Sequence, residues 1–257
     1  MPFETIELAV QDQMAVLTLN RPRSLNAINR LMMREVKEAM DACNADPLVG
    51  AIVVHGNGRA FCAGFDIKEG GQARRDPEEW RAALLEDLDF MLLFWDSPKP
   101  TVAAVHGYCL GGGFDLALSC DMTVAAEGTR FGAPEVRIGV SVFYMLLPWM
   151  TTAKVAKELL LTGNDKIDAE RALRMGLVNE VAPAGAERDR AVEVARELAI
   201  ASPTVVRMTK RAIYQGMRND LRTNLDLISS HYAVITASQE HRDLVHKFIA
   251  ERGKKAQ

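Results

Sequence analysis

Short apolar runs recur along the first half of the chain and predict the strands of a sheet. Alternating or apolar segments at 5–10 and 15–19 are followed by apolar runs at 51–54, 101–105 and 122–126. Runs of this length between turn residues are typical of strands that are covered on both faces. Several of the runs lead through a glycine-containing turn into a helical pattern, and this repeating order favours an α/β fold.

Helical periodicity replaces the strand pattern in the last quarter of the chain. Beyond residue 185 no strand pattern remains, so we predict an α/β domain at 1–185 and a helical region at 186–257. A helical region of this size cannot enclose a core by itself and must pack on the first domain or on another subunit. The helices predicted there lie at 186–201, 203–218, 221–237 and 239–251.

Composition and charge argue against several classes of function. Of the 257 residues, 48% are apolar and 25% are charged, and a formal net charge of −3 gives no support to a nucleic-acid partner. We see neither a secretory leader pattern nor an apolar run long enough for a bilayer, so we expect a cytoplasmic protein without membrane association. Cys43, Cys62, Cys109 and Cys120 form no CxxC pair and have no histidine at metal-ligand spacing, which predicts reduced thiols and no metal site.

Two glycine-containing turns that follow predicted strands are the strongest candidates for chemistry. One spans 58–68 and the other 106–115, where Gly111, Gly112 and Gly113 form a triplet. Glycine lets backbone N–H groups approach a ligand closely, and a helix that starts at Gly112 would direct its free N–H groups outward. Two such donors that meet would form an oxyanion hole. Alternatively, the glycines only permit tight packing of strand against helix.

Two acidic residues near these turns are candidates for proton transfer. Asp115 follows the glycine triplet, and Glu135 follows a proline turn at 130–135. A pair of carboxyls beside oxyanion-hole donors can act as general acid and general base. Taken singly, Asp115 could instead be a first-turn acid that interacts with the helix dipole, and Glu135 could be a solvated turn residue.

Together these segments resemble the crotonase, or enoyl-CoA hydratase/isomerase, family. The similarity covers nearly the whole chain, and the order and spacing of the motifs are far more specific than any one motif. The matching segments are L-N-R-P at 19–22, L-N-A at 25–27, F-C-A-G-F-D-I-K at 61–68, K-P-T-V-A-A-V-H-G at 99–107, G-G-G-F-D-L-A at 111–117, F-G-A-P-E at 131–135, E-L-L-L-T-G at 158–163 and A-L-R-M-G-L-V-N-E-V at 172–181.

The resemblance implies a spiral core of repeated ββα units and a C-terminal helical region that forms homotrimers, often paired into homohexamers. It implies an acyl-CoA substrate, with coenzyme A as part of that substrate and with no separate cofactor or metal. The oxyanion hole would use the backbone N–H groups of Phe65 and Gly112, and the catalytic acids would be Asp115 and Glu135. The residues expected to contact the substrate are Arg23, Leu25, Ala63, Asp66, Ile67, Lys68 and Gly111.

The activity that the resemblance favours is hydration of a 2-enoyl-CoA or isomerisation of its double bond. Asp115 stands where hydratases of the family usually have Glu, Phe65 replaces a smaller residue, and the bulky segment at 140–145 should reshape the acyl pocket. The open alternatives are an acyl-CoA hydrolase, decarboxylase or dehalogenase, or a non-catalytic member that binds acyl-CoA or RNA. The aromatic residues that either line this pocket or belong to the core are Phe65, Phe114, Phe143, Tyr144 and Trp149.

Overall fold

The computed structural model describes residues 3–70, 76–140 and 146–255 of the chain. The chain divides into two compact units, Met1–Ala199 and Ile200–Gln257. Among the described residues, no helix is long and apolar enough to cross a membrane.

Strands and helices alternate through the first unit, and helices alone make up the second. The strands are β1 (Ile6–Gln11), β2 (Met14–Leu19), β3 (Ala51–Gly56), β4 (Thr101–Val105), β5 (Tyr108–Leu110), β6 (Met122–Ala126), β7 (Arg130–Gly132), β8 (Ile167–Asp168) and β9 (Glu180–Ala182). The helices are α1 (Arg30–Ala45), α2 (Ile67–Gly70), α3 (Pro77–Trp95), α4 (Gly112–Ser119), α5 (Leu147–Met150), α6 (Ala153–Thr162), α7 (Ala169–Arg174), α8 (Glu187–Ile200), α9 (Pro203–Gly216), α10 (Leu221–Thr236) and α11 (Gln239–Lys255).

A six-stranded sheet in the order β1-β2-β3-β4-β6-β9 lies at the centre of the first unit. The first strand is antiparallel to its neighbour, and the others pair in parallel. On one face, Ile52 and Val54 of β3 join the larger apolar core. On the other face, Val53 and Ala104 pack in a smaller core with Val194 of α8. The apolar runs therefore form strands that are buried on both faces, as predicted.

A second, smaller sheet holds the short strands β5, β7 and β8. A single bridge between Cys62 and Cys109 connects the loop after β3 to this sheet. The elements β4, β5 and α4 follow one another as strand, strand and helix, which is the ββα unit that the resemblance implied. The predicted α/β class with a C-terminal helical region is confirmed.

The first compact unit extends past residue 185, where we placed the end of the α/β domain, and includes most of α8. Ala191, Val194 and Ala195 of this helix are buried in the smaller core of the large sheet. Periodicity predicted the helix but not its partner, because an amphipathic pattern does not say which surface it covers.

The second unit contains α9, α10 and α11, and no described residue of α9 or α10 is buried. Side chains cap two of these helices, since Ser202 accepts from the N–H of Val205 and Asp220 accepts from the N–H groups of Arg222 and Thr223. The large apolar residues exposed on the described part of this unit are Ile200, Ile213, Leu221, Leu225, Tyr232, Val234, Leu244, Val245, Phe248 and Ile249.

Asn26 joins the loop before α1 to the loop after β3. Its side-chain N–H groups donate to the carbonyls of Asn57, Ala60 and Phe61 at 2.9, 2.8 and 3.1 Å. Its side-chain oxygen accepts from the N–H of Arg21 at 2.9 Å. The residue is fully buried and has a φ of 55°, a left-handed conformation that asparagine tolerates better than most residues. The L-N-A motif is therefore a structural clamp on the loop that carries Phe65.

We expect Asn26→Ala to lower the free energy of unfolding by about 3 kcal/mol, because a buried polar group left without its partner costs about 1–3 kcal/mol. Urea denaturation followed by circular dichroism measures the change. The matched control is Asn57→Ala, since the Asn57 side chain is exposed, and it should change the free energy by less than about 0.5 kcal/mol. Equal effects of the two substitutions would contradict the role of Asn26.

Candidate active site

Phe65 lies in the loop after β3, and its backbone N–H points away from the neighbouring loop before α1. The N–H of Ile28 donates to the carbonyl of Gly64, and the N–H of Asp66 donates to the carbonyl of Ile28, both at 2.8 Å. In this parallel bridge between Ile28 and Phe65, the N–H of Phe65 itself points to the opposite side. Gly64 has a φ of 101°, a conformation that favours glycine, and it makes this presentation possible.

The turn after β5 starts a helix at the predicted position. Gly111 is the N-cap of α4 with a φ of 54°, and its carbonyl accepts from the N–H groups of Phe114 and Asp115 at 2.8 and 3.0 Å. The N–H of Gly111 donates to the carbonyl of Gly132 at 2.9 Å. Helix geometry leaves the N–H of Gly112 in the first turn without an intrahelical acceptor, at the positive end of the helix dipole.

The two turns pack directly against each other, which brings the two predicted donors together. A β-carbon built on Gly64 would lie 3.2 Å from the backbone nitrogen of Gly112. A β-carbon built on Gly112 would lie 2.7 Å from ring carbons of Phe65, and one built on Gly113 would clash with the carbonyl of Cys62. The glycines therefore permit close packing, one of the two alternatives that the sequence posed, and donor presentation by the same turns stays a prediction.

Glu135 lies beside the glycine triplet, on a 3-10 helix at Pro134–Ile138. A β-carbon built on Gly111 would lie 2.8 Å from Oε1 of Glu135, so the carboxylate reaches the N-terminus of α4. The other oxygen, Oε2, is buried and has no hydrogen-bond partner among the described residues. A buried carboxyl oxygen without a partner is available for a substrate or a water molecule.

Asp115 stands in the first turn of α4, near Glu135. Burial raises the pKa of Asp115 well above its usual range, and the charge of Glu135 raises it further. Burial also raises the pKa of Glu135. Two neighbouring carboxyls in a buried site favour a state with one proton between them. The pair can then accept a proton through one carboxyl and donate one through the other.

Of the residues predicted to contact the substrate, Ala63 and Gly111 belong to the two turns, and Leu25 lies beside Ala63. The N–H of Ala63 donates to the carbonyl of Leu25 at 3.0 Å, so these two residues are adjacent. Gly111 is buried next to the Glu135 carboxylate. Their position beside the donors agrees with a binding role, which stays a prediction.

The other four lie towards the surface. Arg23, Ile67 and Lys68 are exposed, in the turn before α1 and in α2. The carboxylate of Asp66 pairs with the guanidinium of Arg21 at 3.0 Å. Asp66 therefore helps to hold its own loop, and sequence reasoning missed its partner Arg21. The L-N-R-P motif was the available signal, but it gives no indication of a partner so distant in the chain.

The three aromatic residues of the predicted pocket that the structure describes lie in different surroundings. Phe114 is core, with its ring centroid 5.5 Å from that of Phe131, whereas 58% of Trp149 is exposed. The ring of Phe65 packs over the α-carbon of Gly112. Residues 141–145, which include Phe143 and Tyr144, lie outside the described residues.

Because the charge of Glu135 raises the pKa of Asp115, we expect Glu135→Gln to lower the pKa of Asp115. Infrared difference spectra recorded across a pH titration follow the C=O band of the protonated carboxyl, and Asp115→Asn identifies that band. The titration midpoint should move to lower pH in Glu135→Gln and stay in place in Glu170→Gln, a matched control at an exposed acid. An unmoved midpoint in Glu135→Gln would show that the two acids do not interact.

The sequence matches the family described as Enoyl-CoA hydratase/isomerase over residues 9–256. A crotonyl-CoA hydratase from Syntrophomonas wolfei is 33% identical over 257 residues, which cover 98% of this chain and 97% of that protein. A short-chain-enoyl-CoA hydratase from Clostridium acetobutylicum is 32% identical, with 98% and 97% covered.

Solved structures give the same result. An enoyl-CoA hydratase/isomerase from Xanthobacter autotrophicus Py2 is 41% identical, with a TM-score of 0.81 over 88% of this chain and 86% of that one. An enoyl-CoA hydratase from Bacillus anthracis is 28% identical, with a TM-score of 0.91 over 96% and 97%. This chain belongs to the enoyl-CoA hydratase/isomerase family.

Proposed function

We propose that this protein adds water to the double bond of a 2-enoyl-CoA thioester, and so is a hydro-lyase. The observation that carries the proposal is the position of two carboxyls, Asp115 and Glu135, beside the packed turns that hold the nitrogens of Phe65 and Gly112. The relatives named as crotonyl-CoA and short-chain-enoyl-CoA hydratases support the same reaction.

The two backbone N–H groups would hold the thioester oxygen. As water attacks the β-carbon, the electron pair of the double bond moves to the thioester, and negative charge develops on that oxygen. Fixed donors at this place stabilise the transition state more than the ground state. The positive end of the α4 dipole acts in the same direction, because Gly112 is the first residue of the helix.

The carboxyl pair would supply the proton transfers. One carboxylate takes a proton from the attacking water, whose oxygen bonds to the β-carbon, and the other carboxyl gives its proton to the α-carbon. The net change is the addition of one water molecule, and the pair ends with one proton, as it began. Activity should therefore fall at low pH, where both carboxyls are protonated, and at high pH, where neither is.

The coenzyme A moiety would lie along the rim formed by the turn before α1 and by α2. Arg23 and Lys68 are exposed cations there, and such side chains attract phosphate groups. Ile67 adds an apolar side chain that is 69% exposed. Leu25 and Ala63, which share a hydrogen bond, would border the path from this rim to the donors.

Double-bond isomerisation is the second candidate. Asp115 is one methylene shorter than glutamate, so a water molecule between the acids is held differently, and Glu135 alone could move a proton between two carbons. The hydratase proposal predicts conversion of 2-enoyl-CoA to a product heavier by one water. Turnover of 3-enoyl-CoA alone would indicate the isomerase.

We expect Glu135→Gln to lower kcat for hydration by about 10²–10⁴-fold, the usual contribution of general acid–base catalysis. The assay follows loss of the ultraviolet absorbance of the conjugated enoyl thioester, with the product identified by mass spectrometry. The control Glu170→Gln removes an exposed carboxylate and should keep full activity. Full activity in Glu135→Gln would refute its role. Release of free CoA or carbon dioxide without a hydrated product would refute the hydratase.

We also propose that the chain forms a homotrimer, or a homohexamer of two trimers, in the cytoplasm and acts in fatty acid metabolism. Exposed apolar residues on the second unit, such as Leu225 and Tyr232, support burial against other subunits. The four cysteines form no disulfide, which is usual in a reducing compartment.

We expect light scattering to give a molecular mass equal to that of three or six chains. Leu225→Glu with Tyr232→Glu should dissociate it, because charges would be buried at the contact. The control Arg222→Glu, at an exposed position of the same helix, should leave the oligomer intact. A monomeric mass for the unmodified chain would contradict the proposal.

A further inference from the structure

Three metal-ligand side chains meet on the face of the large sheet that α8 covers. His55 lies in β3 and alternates with Ala51 and Val53, which belong to the core shared with α8. His106 follows β4, and Glu187 is the first residue of α8. One ligand atom from each of the three residues lies within 4.8 Å of the other two.

Two atoms of this cluster are buried and lack hydrogen-bond partners. Nδ1 of His106 and Oε2 of Glu187 have none among the described residues. The gap from Nδ1 of His106 to Oε1 of Glu187 is 3.6 Å, too long for a hydrogen bond. Glu187 is only 4% exposed, so water does not easily reach its carboxylate. Burying polar atoms in this way is costly unless a partner is bound.

Backbone carbonyls determine which ring nitrogens carry hydrogen. Nδ1 of His55 lies 3.3 Å from the carbonyl of Ala104, and Nε2 of His106 lies 3.0 Å from the carbonyl of Gly58. A carbonyl only accepts, so each of these nitrogens is the donor. The neutral rings then have bare lone pairs on Nε2 of His55 and Nδ1 of His106. Metal-binding histidines usually donate their other N–H in this way.

The surrounding charge is mixed. Glu187 is the acidic group of the cluster, and Arg188 is a basic group close enough to interact with His55. The carboxylate would supply the negative charge that a cation needs, and Arg188 would limit the affinity.

We propose that His55, His106 and Glu187 bind one divalent metal ion of the zinc class, with water as a further ligand. Two imidazoles and a carboxylate are a ligand set typical of zinc, which is bound at about 2.0–2.2 Å with an open position for water. Ligands at such distances lie roughly 3.4 Å apart, and the His106–Glu187 pair is already near that spacing. The ligand atom of His55 lies within 4.8 Å of those of the other two residues. The sequence predicted no metal, because these ligands are widely separated along the chain.

The site would act on the structure rather than on the reaction. It joins the end of β3, the residue after β4 and the start of α8. The carbonyl of His106 also accepts from the N–H of Phe61 at 2.9 Å, at the base of the loop that carries Phe65. A bound ion would therefore fix the bases of both active-site turns from the opposite face of the sheet, and would raise the unfolding temperature.

Zinc binding to the whole, untagged protein tests the proposal. Protein treated with a chelator and then dialysed is titrated with zinc sulfate in a calorimeter. We expect one ion per chain and a higher unfolding temperature in its presence. Glu187→Gln and His106→Gln should each weaken binding by at least about tenfold and abolish the thermal shift. Cobalt(II) in place of zinc should give the visible absorption of a tetrahedral site.

Two matched controls separate the site from surface binding. Glu197→Gln removes an exposed carboxylate of the same helix, and His246→Ala removes an exposed imidazole. Both should bind zinc as the unmodified chain does. No stoichiometric binding, or equal affinity in Glu187→Gln and Glu197→Gln, would overturn the proposal. If Glu187→Gln loses its native circular dichroism, His55→Gln and His106→Gln decide the question in its place.

Discussion

The close approach of two backbone turns determines how the site is built. A β-carbon built on Gly64 would lie only 3.2 Å from the backbone nitrogen of Gly112, and one built on Gly113 would clash with the carbonyl of Cys62. Side chains at these positions would force the turns apart. The same contact makes the residues that carry the two proposed donors, Phe65 and Gly112, neighbours, so close packing of the turns is what the proposed donor geometry requires. Asn26 holds the loop after β3 in place, because its side chain donates hydrogen bonds to three backbone carbonyls of that loop.

The position of the two packed turns determines the electrostatic environment of Asp115 and Glu135. Glu135 and Asp115 stand at the N-terminus of α4, where the helix dipole favours negative charge. Burial opposes that preference and raises the pKa of both acids, and their mutual repulsion raises the pKa of Asp115 further. Both carboxyls therefore hold a proton to higher pH than they would in water. In the proposed reaction the pair would supply the acid and the base beside the donors for the developing oxyanion.

The sequence predicted the elements with strong patterns. Five strands and the start of α4 at Gly112 are found where they were expected. The short strands β5, β7, β8 and β9 were missed, because two or three residues show no periodicity. The Asn26 clamp was missed because its acceptors are backbone carbonyls of another loop. Asp115 and Glu135 were named as candidates from their place near the glycine turns and then by resemblance, but only the structure shows the burial that raises the pKa of each.

A crystal structure with a bound, slowly reacting acyl-CoA would show whether the two turns form an oxyanion hole. We expect the thioester oxygen to lie about 2.7–3.1 Å from the backbone nitrogens of both Phe65 and Gly112. We also expect the reacting carbons to lie between Asp115 and Glu135. A thioester oxygen bound by only one of these nitrogens, or by neither, would show that the two turns do not act together in this way.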